Sequence, residues 1–260
     1  MKILKGVSSQ AQRIVFCFSL IIFFACCLFV VFRSTAKTTI AYPVIANAYG
    51  STAENPSKAR SKVYVVSAIG DSLTDYRNGG GKYLDFLRER CPESRFDNYG
   101  RGGEMVSQMR RRFSRDVVGP NKPIYTHVIV FGGVNDVYSD LTAHRTPEKI
   151  EGDLLAMYSM AREADMQVIA IAIAPWGGFR RYFNRVRSLA TLDVNKWIEQ
   201  QLDVGTIQYF VDAYRLLSCG VPEMLCEAFV PPYNDGLHFN ALGHERLGET
   251  LYRHVFSDCR

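Results

Sequence analysis

Three short runs of aliphatic and β-branched residues constrain this chain most: Val63 to Ile69, His127 to Phe131 and Gln167 to Ala174. Each stops at glycine or proline (Gly70, Gly132-Gly133, Pro175). Runs of this length and composition read as buried strands. Between them lie segments with helical spacing. Tyr83, Leu84, Phe86 and Leu87 suggest a helix stopped near Pro92, and Glu104 to Val117 a second, with Arg110 to Arg115 on a solvated face. Thr146-Pro147 opens a third, a hydroxyl cap followed by proline in the first turn. Ile150, Leu154, Met157, Tyr158 and Ala161 form its apolar face. Thr191 to Leu202 and Ala241 to Phe256 also read as helical, Arg95 to Tyr99 and Gln208 to Asp212 as short strands. Strand and helix alternating at this rhythm imply an α/β domain over residues 62–260, its mostly parallel sheet covered on both faces.

The amino-terminal segment obeys different rules. Ile14 to Phe32 is 19 residues without a charge, glycine or proline. As a helix it would rise about 28 Å, close to the ~30 Å hydrocarbon core of a bilayer. Lys2, Lys5 and Arg13 precede it and outnumber Arg33 and Lys37 behind it, so the amino terminus is expected to stay cytoplasmic and the rest to be exported. Residues 1–37 therefore read as a tail plus a transmembrane or signal helix, and 38–61, rich in Ala, Ser, Thr and Asn, as a linker. The length favours a retained anchor. Ser34-Thr35-Ala36 and Ala46-Asn47-Ala48 offer cleavage sites for the secreted or periplasmic alternative.

Charge narrows the function. The formal net charge is +5, but residues 1–61 hold seven Lys/Arg against the single acid Glu54, leaving 24 bases and 25 acids beyond. A domain this balanced lacks the local excess of Lys and Arg that tracking phosphates requires, so no nucleic-acid partner is expected. Cys17, Cys26 and Cys27 lie within the apolar segment, leaving Cys91, Cys219, Cys226 and Cys259, an even number suited to an oxidising compartment. Cys219 and Cys226 flank six residues and fit a local disulfide; Cys91–Cys259 would follow by elimination, four free thiols being the alternative.

In open α/β sheets, ligands collect beyond the carboxyl ends of the strands. There the sequence places Gly70-Asp71-Ser72, then Asn98 to Gly103, then Gly133-Val134-Asn135-Asp136, and before the last helix Asp235-Gly236-Leu237-His238. These supply the parts of acyl transfer through a serine. Ser72 needs a base, and the imidazole of His238 can accept its proton. Asp235 would fix the imidazole tautomer. The backbone N–H groups of Ser72 and Gly103 and the Asn135 amide would form an oxyanion hole. Asp71 and Asp136 suit loop orientation. A metal held by Asp71, Asp136, Asp235 and His238 would leave the glycines and asparagine without a role, so neither metal nor cofactor is expected.

These four blocks, in this order, resemble the SGNH/GDSL hydrolase family: Gly70-Asp71-Ser72, Asn98 with Gly103, Gly133-x-Asn135-Asp136 and Asp235-x-x-His238. The resemblance spans essentially the whole expected domain. It implies a flavodoxin-like three-layer α/β/α sandwich and hydrolysis of carbohydrate, lipid or thioester acyl groups. The extra Gly102 leaves the second block open to a different loop shape. Pro175 to Arg187 mixes aromatics with arginines, so Trp176, Phe179, Arg180 and Arg181 are candidate substrate contacts; a solvated helix start is the equal alternative. Two other functions compete with an esterase: an acyltransferase to an envelope glycan or lipid, and a non-catalytic glycan-binding protein. The partners expected are an ester or acylated glycan or lipid and, through the anchor, the membrane.

Overall fold

Successive residues of two apolar runs show how the sheet is built. Along His127–Phe131, Val128 and Val130 enter one apolar cluster while Ile129 and Phe131 enter another, because side chains alternate across a strand. Val168 and Ala170 repeat this against Ile169 and Ile171. Both faces must therefore be covered.

A computed structural model describes residues 61–260 of the chain. The apolar run at 14–32, with its expected membrane or signal helix, and linker residues 38–60 lie outside the described residues. Five parallel strands, β1 (Val65–Gly70), β2 (Arg95–Gly100), β3 (His127–Phe131), β4 (Gln167–Ile171) and β5 (Tyr209–Val211), lie in the order β2-β1-β3-β4-β5. Helices α1 (Lys82–Arg90) and α2 (Val106–Asp116) follow the first two strands. Two short helices, α3 (Val134–Tyr138) and α4 (Asp140–Ala143), come directly after β3. Then come α5 (Pro147–Glu163), α6 (Arg185–Asp203), the short α7 (Ala213–Leu216) and α8 (Ala241–Leu251).

One face is covered by α2, α5 and α6 through Met109, Phe113, Leu154, Met157, Val194 and Ile198. The other is covered by α1 and α8 through Tyr83, Leu84, Leu87, Leu247 and Leu251. The strand order reverses direction between β1 and β3, which opens a crevice beyond their carboxyl ends, where ligands of such sheets bind.

Some boundaries differ from the sequence expectation. Helix α6 starts at Arg185, six residues before the expected Thr191, capped by the Asn184 side chain accepting from the Arg187 N–H at 3.0 Å; the apolar Val186 and Leu189 near its start face solvent instead of the core. After Leu251 the last helix widens into a π-helical turn over Tyr252–Phe256. Cys91 pairs with Cys259 and Cys219 with Cys226, with Cα separations of 5.4 and 4.8 Å. Free thiols at these four positions are thereby excluded. The carboxyl terminus meets the start of the domain: the Lys62 N–H donates to the Asp258 carbonyl at 2.8 Å, and the Arg260 N–H to the Lys62 carbonyl at 2.9 Å.

Candidate active site

The loop after β1 turns sharply because the Asp71 carbonyl accepts from the Thr74 and Asp75 N–H groups at 3.1 and 2.9 Å. Asp71 also accepts the Leu73 N–H on its side chain at 3.0 Å. This turn lifts Ser72 to the edge of the crevice, 8% exposed. From the far end of the chain, His238 brings Nε2 to 2.8 Å from Ser72 Oγ. Its Nδ1 lies 2.6 Å from Asp235 Oδ2. An ionised carboxylate only accepts, so the ring proton sits on Nδ1 and Nε2 is left to accept from the serine hydroxyl. Burial pushes the Asp235 carboxyl upward, but hydrogen bonds from the His238 ring and from the backbone N–H groups of His238 and Leu237 outweigh it and hold the acid below its usual range.

The Asp235–His238 loop sits where it does because of a backbone-to-backbone contact. Gly236 has φ of 74°, and a Cβ there would collide with the Gly178 backbone. A Cβ on Gly178 would stand 2.6 Å from the Gly236 Cα. Only glycine fits either position. Gly178 follows Gly177, whose N–H donates to the Glu223 carbonyl at 2.7 Å, inside the segment closed by Cys219–Cys226.

The other side of the site is buried. Asn135, 3% exposed, donates from Nδ2 to the Glu104 carbonyl at 2.9 Å and stands 3.4 Å from Asp71 Oδ2. Burial pushes Asp71 up to about 7, against the Leu73 N–H bond that lowers it. Burial also raises Asp136, although the Val106 N–H and Arg145 oppose this. Asp136 accepts from the Val106 N–H at 2.8 Å and from Arg145 Nε at 2.6 Å. Arg145 continues to Asp153 on α5 at 2.6 Å.

Ser72, Gly103, Asn135 and His238 face a common cleft of about 490 Å³, together with Asn78, Gly102, Tyr138, Phe179, Tyr233 and Leu237. Among the described residues no hydrogen bond occupies the backbone N–H of Ser72 or Gly103. Gly103 has φ of 76°, and a Cβ there would meet nothing within 4 Å. A left-handed backbone at this position favours glycine. Among the described residues no three His, Cys, Asp or Glu side chains are placed to hold a metal.

Of the candidate substrate contacts, Phe179 lines the cleft. Trp176 does not: it is fully buried, its indole N–H donating to Thr191 Oγ1 at 3.0 Å. It is a core residue behind Tyr138 and Phe183. Arg180 and Arg181 are exposed and outside the cleft lining, Arg181 standing over the Tyr182 ring.

Sequence reasoning also missed Arg112, expected on a solvated face yet 4% exposed. It donates to Glu104 Oε2 at 2.6 Å, to Asp116 Oδ2 at 3.3 Å and to the Gly70 carbonyl at 3.3 Å. It thereby ties the end of β1 to the loop that carries Gly103. A signal existed: Arg112 stands three residues after Met109 and four before Asp116, on the same face as those buried residues.

A parallel sheet with its polar residues gathered at the switch point, and a serine linked through an imidazole to a carboxylate beside spare amide donors, defines an α/β enzyme of acyl groups. The chain belongs to the GDSL-like lipase/acylhydrolase family, whose sequence model matches residues 68–246. A search of curated protein sequences finds no match. Similar solved structures include a GDSL-like lipase from Bacteroides thetaiotaomicron, 20% identical with a TM-score of 0.58 over 73% of this chain and 86% of that one. The lipase/acylhydrolase from Enterococcus faecalis is 20% identical with a TM-score of 0.60, over 76% and 98%. A catalytic mutant of an acetylxylan esterase from Geobacillus stearothermophilus is 16% identical with a TM-score of 0.57, over 76% and 96%. At these identities the likeness is one of fold.

Proposed function

We propose that this esterase is an extracytoplasmic serine hydrolase that cleaves short acyl groups from a carbohydrate through an acyl-enzyme on Ser72. The observation that carries the reading is the continuous path from Ser72 Oγ to His238 Nε2 at 2.8 Å and from His238 Nδ1 to Asp235 at 2.6 Å, opening on the cleft. As Ser72 attacks the ester carbonyl, His238 takes the hydroxyl proton and becomes an imidazolium, which Asp235 stabilises. The carbonyl oxygen gains charge facing the Ser72 and Gly103 N–H groups and the Asn135 amide. His238 returns its proton to the leaving alkoxide. Water then attacks the acyl-serine by the same route, releasing the carboxylic acid and restoring the hydroxyl.

The cleft supports the substrate class. Tyr138, Phe179 and Tyr233 offer ring faces and Asn78 a carboxamide, a mixture that suits the alternating apolar and hydroxyl faces of a sugar. Export is supported by the two disulfides, which persist in oxidising compartments, and by the apolar run at 14–32 with its basic flank.

Ser72→Ala should lower turnover of an activated acetyl ester by about 10⁴-fold or more and abolish labelling by a fluorophosphonate. Retained turnover in that variant overturns the mechanism. Across acetyl, butyryl and long-acyl esters and acetylated glycans, kcat/KM should be highest for acetyl groups on glycans. A preference for long acyl chains would remove the substrate class while leaving the mechanism in place.

A further inference from the structure

We infer that Tyr138 is a positioning residue for the oxyanion hole: its hydroxyl orients and polarises the Asn135 carboxamide from the edge of the cleft. The inference rests on the reading above in which Asn135 donates to the substrate oxygen.

The two ends of the Asn135 side chain face different partners. At Nδ2 stand two acceptors, the Glu104 carbonyl at 2.9 Å, which can only accept, and Asp71 Oδ2 at 3.4 Å, the longer bond being the one a substrate oxygen would replace. At Oδ1 stands the Tyr138 hydroxyl, 2.8 Å away. Turning the amide over would set two oxygens against each other at the Glu104 position, so Nδ2 belongs there and the tyrosine must donate. The two residues lie three apart in α3, on one face of a single turn. Below them the backbone is pinned by Asp136, which holds Arg145 and the Val106 N–H.

Tyr138 is itself held. Its ring packs against Phe179 at 5.8 Å and Tyr182 at 5.5 Å between centroids, with buried Trp176 behind at 6.4 Å. Burial and the neighbouring carboxylates Asp71 and Asp136 raise its phenol above the usual value, so it remains a donor across the working pH range. Donation into Oδ1 draws electron density from the amide nitrogen and makes Nδ2–H the better donor. That gain grows as the substrate oxygen becomes an oxyanion, so it belongs to the transition state and appears in kcat. Glu104 fixes which end of the amide points where; Tyr138 sets how strongly that end donates.

Tyr138→Phe keeps the ring and removes only the hydroxyl. It should lower kcat about tenfold with KM within about twofold, the size of one hydrogen bond. Affinity for a boronic acid, whose serine adduct is tetrahedral, should fall by the same factor as kcat/KM. Asn135→Ala should lose about 10²–10³ in kcat, and the double variant should lose no more than Asn135→Ala alone. Wild-type turnover in Tyr138→Phe, or losses that multiply in the double variant, would make Tyr138 a mere wall and overturn the inference. Full turnover in Asn135→Ala would instead bring down the oxyanion reading on which it rests. Tyr138→Leu, which also removes the ring, should add a rise in KM that Tyr138→Phe lacks.

Discussion

The two halves of the site are held by opposite means. The oxyanion half has Gly103 exposed at its rim but stands on a largely buried frame cross-braced by charge: Arg112 joins Glu104, Asp116 and the Gly70 carbonyl, while Arg145 joins Asp136 and Asp153. The acid–base half is short-range and partly wet. Asp235 and His238 are three residues apart, their side chains 34% and 26% exposed, and their loop rests on the Gly178–Gly236 backbone contact. The difference follows from what each half must do. Amide donors act by standing still around a developing charge, which rewards a rigid, desolvated frame. The imidazole must gain and lose a proton, so partial exposure costs it little, and a local turn sets its partner.

The contrast can be broken by four measurements. Asp235→Asn should cost about 10⁴-fold in turnover through loss of the reactive tautomer, with the urea midpoint nearly unchanged; a large stability loss would show that this half is structural as well. Arg112→Met takes the ion-pair partner from Glu104 and cuts the link to the Gly70 carbonyl, while Asp116 keeps Arg101 and Arg115; chemical unfolding should show a loss of about 1–3 kcal/mol. An unchanged midpoint would mean the brace is idle. Gly236→Ala places a side chain at positive φ against Gly178 and should displace His238, lowering kcat by about 10²-fold. Equal kcat in that variant would show that the glycine contact does not seat the base.

The smallest expected effect concerns pH. Burial lowers His127 to about 4 and His244 to about 3. Both are neutral in the folded chain while the unfolded chain takes up protons below about 6.5, so their stabilising contribution is complete above that pH. It is lost as pH falls from 6.5 toward 4, by a few kcal/mol. Asp71, raised to about 7, works the other way, binding its proton more tightly when folded and adding stability as pH falls from 7 toward 4. Thermal melts should show acid destabilisation reduced in His244→Phe and increased in Asp71→Asn. Parallel pH curves for wild type and His244→Phe would refute the assignment.

Much of this was legible residue by residue. The strands announced themselves because β3 and β4 are apolar on both faces and end in glycine or before proline. Thr146 and Pro147 marked the start of α5 because capping chemistry is local. Trp176, in contrast, has the composition of a substrate wall and the position of a core residue; periodicity alone could not say which, since it sits in a loop. Arg112 was hidden by its neighbours, Arg110, Arg111 and Arg115, which share its charge and not its burial. Tyr138 and Gly178 lie outside the four sequence blocks, and their importance comes from what stands opposite them.

What the linear chain determined by itself is the set of elements and the chemical inventory: turns, caps and two-fold alternation depend on neighbours within a few residues, and a hydroxyl, an imidazole and a carboxylate are fixed by composition. What only the tertiary structure decided is which groups meet. Ser72 and His238 are separated by 166 positions and stand 2.8 Å apart. Which arginine is buried, which aromatic faces the cleft and which amide is braced are likewise outcomes of packing, because burial and hydrogen-bond partnership are properties of the surroundings and not of the residue.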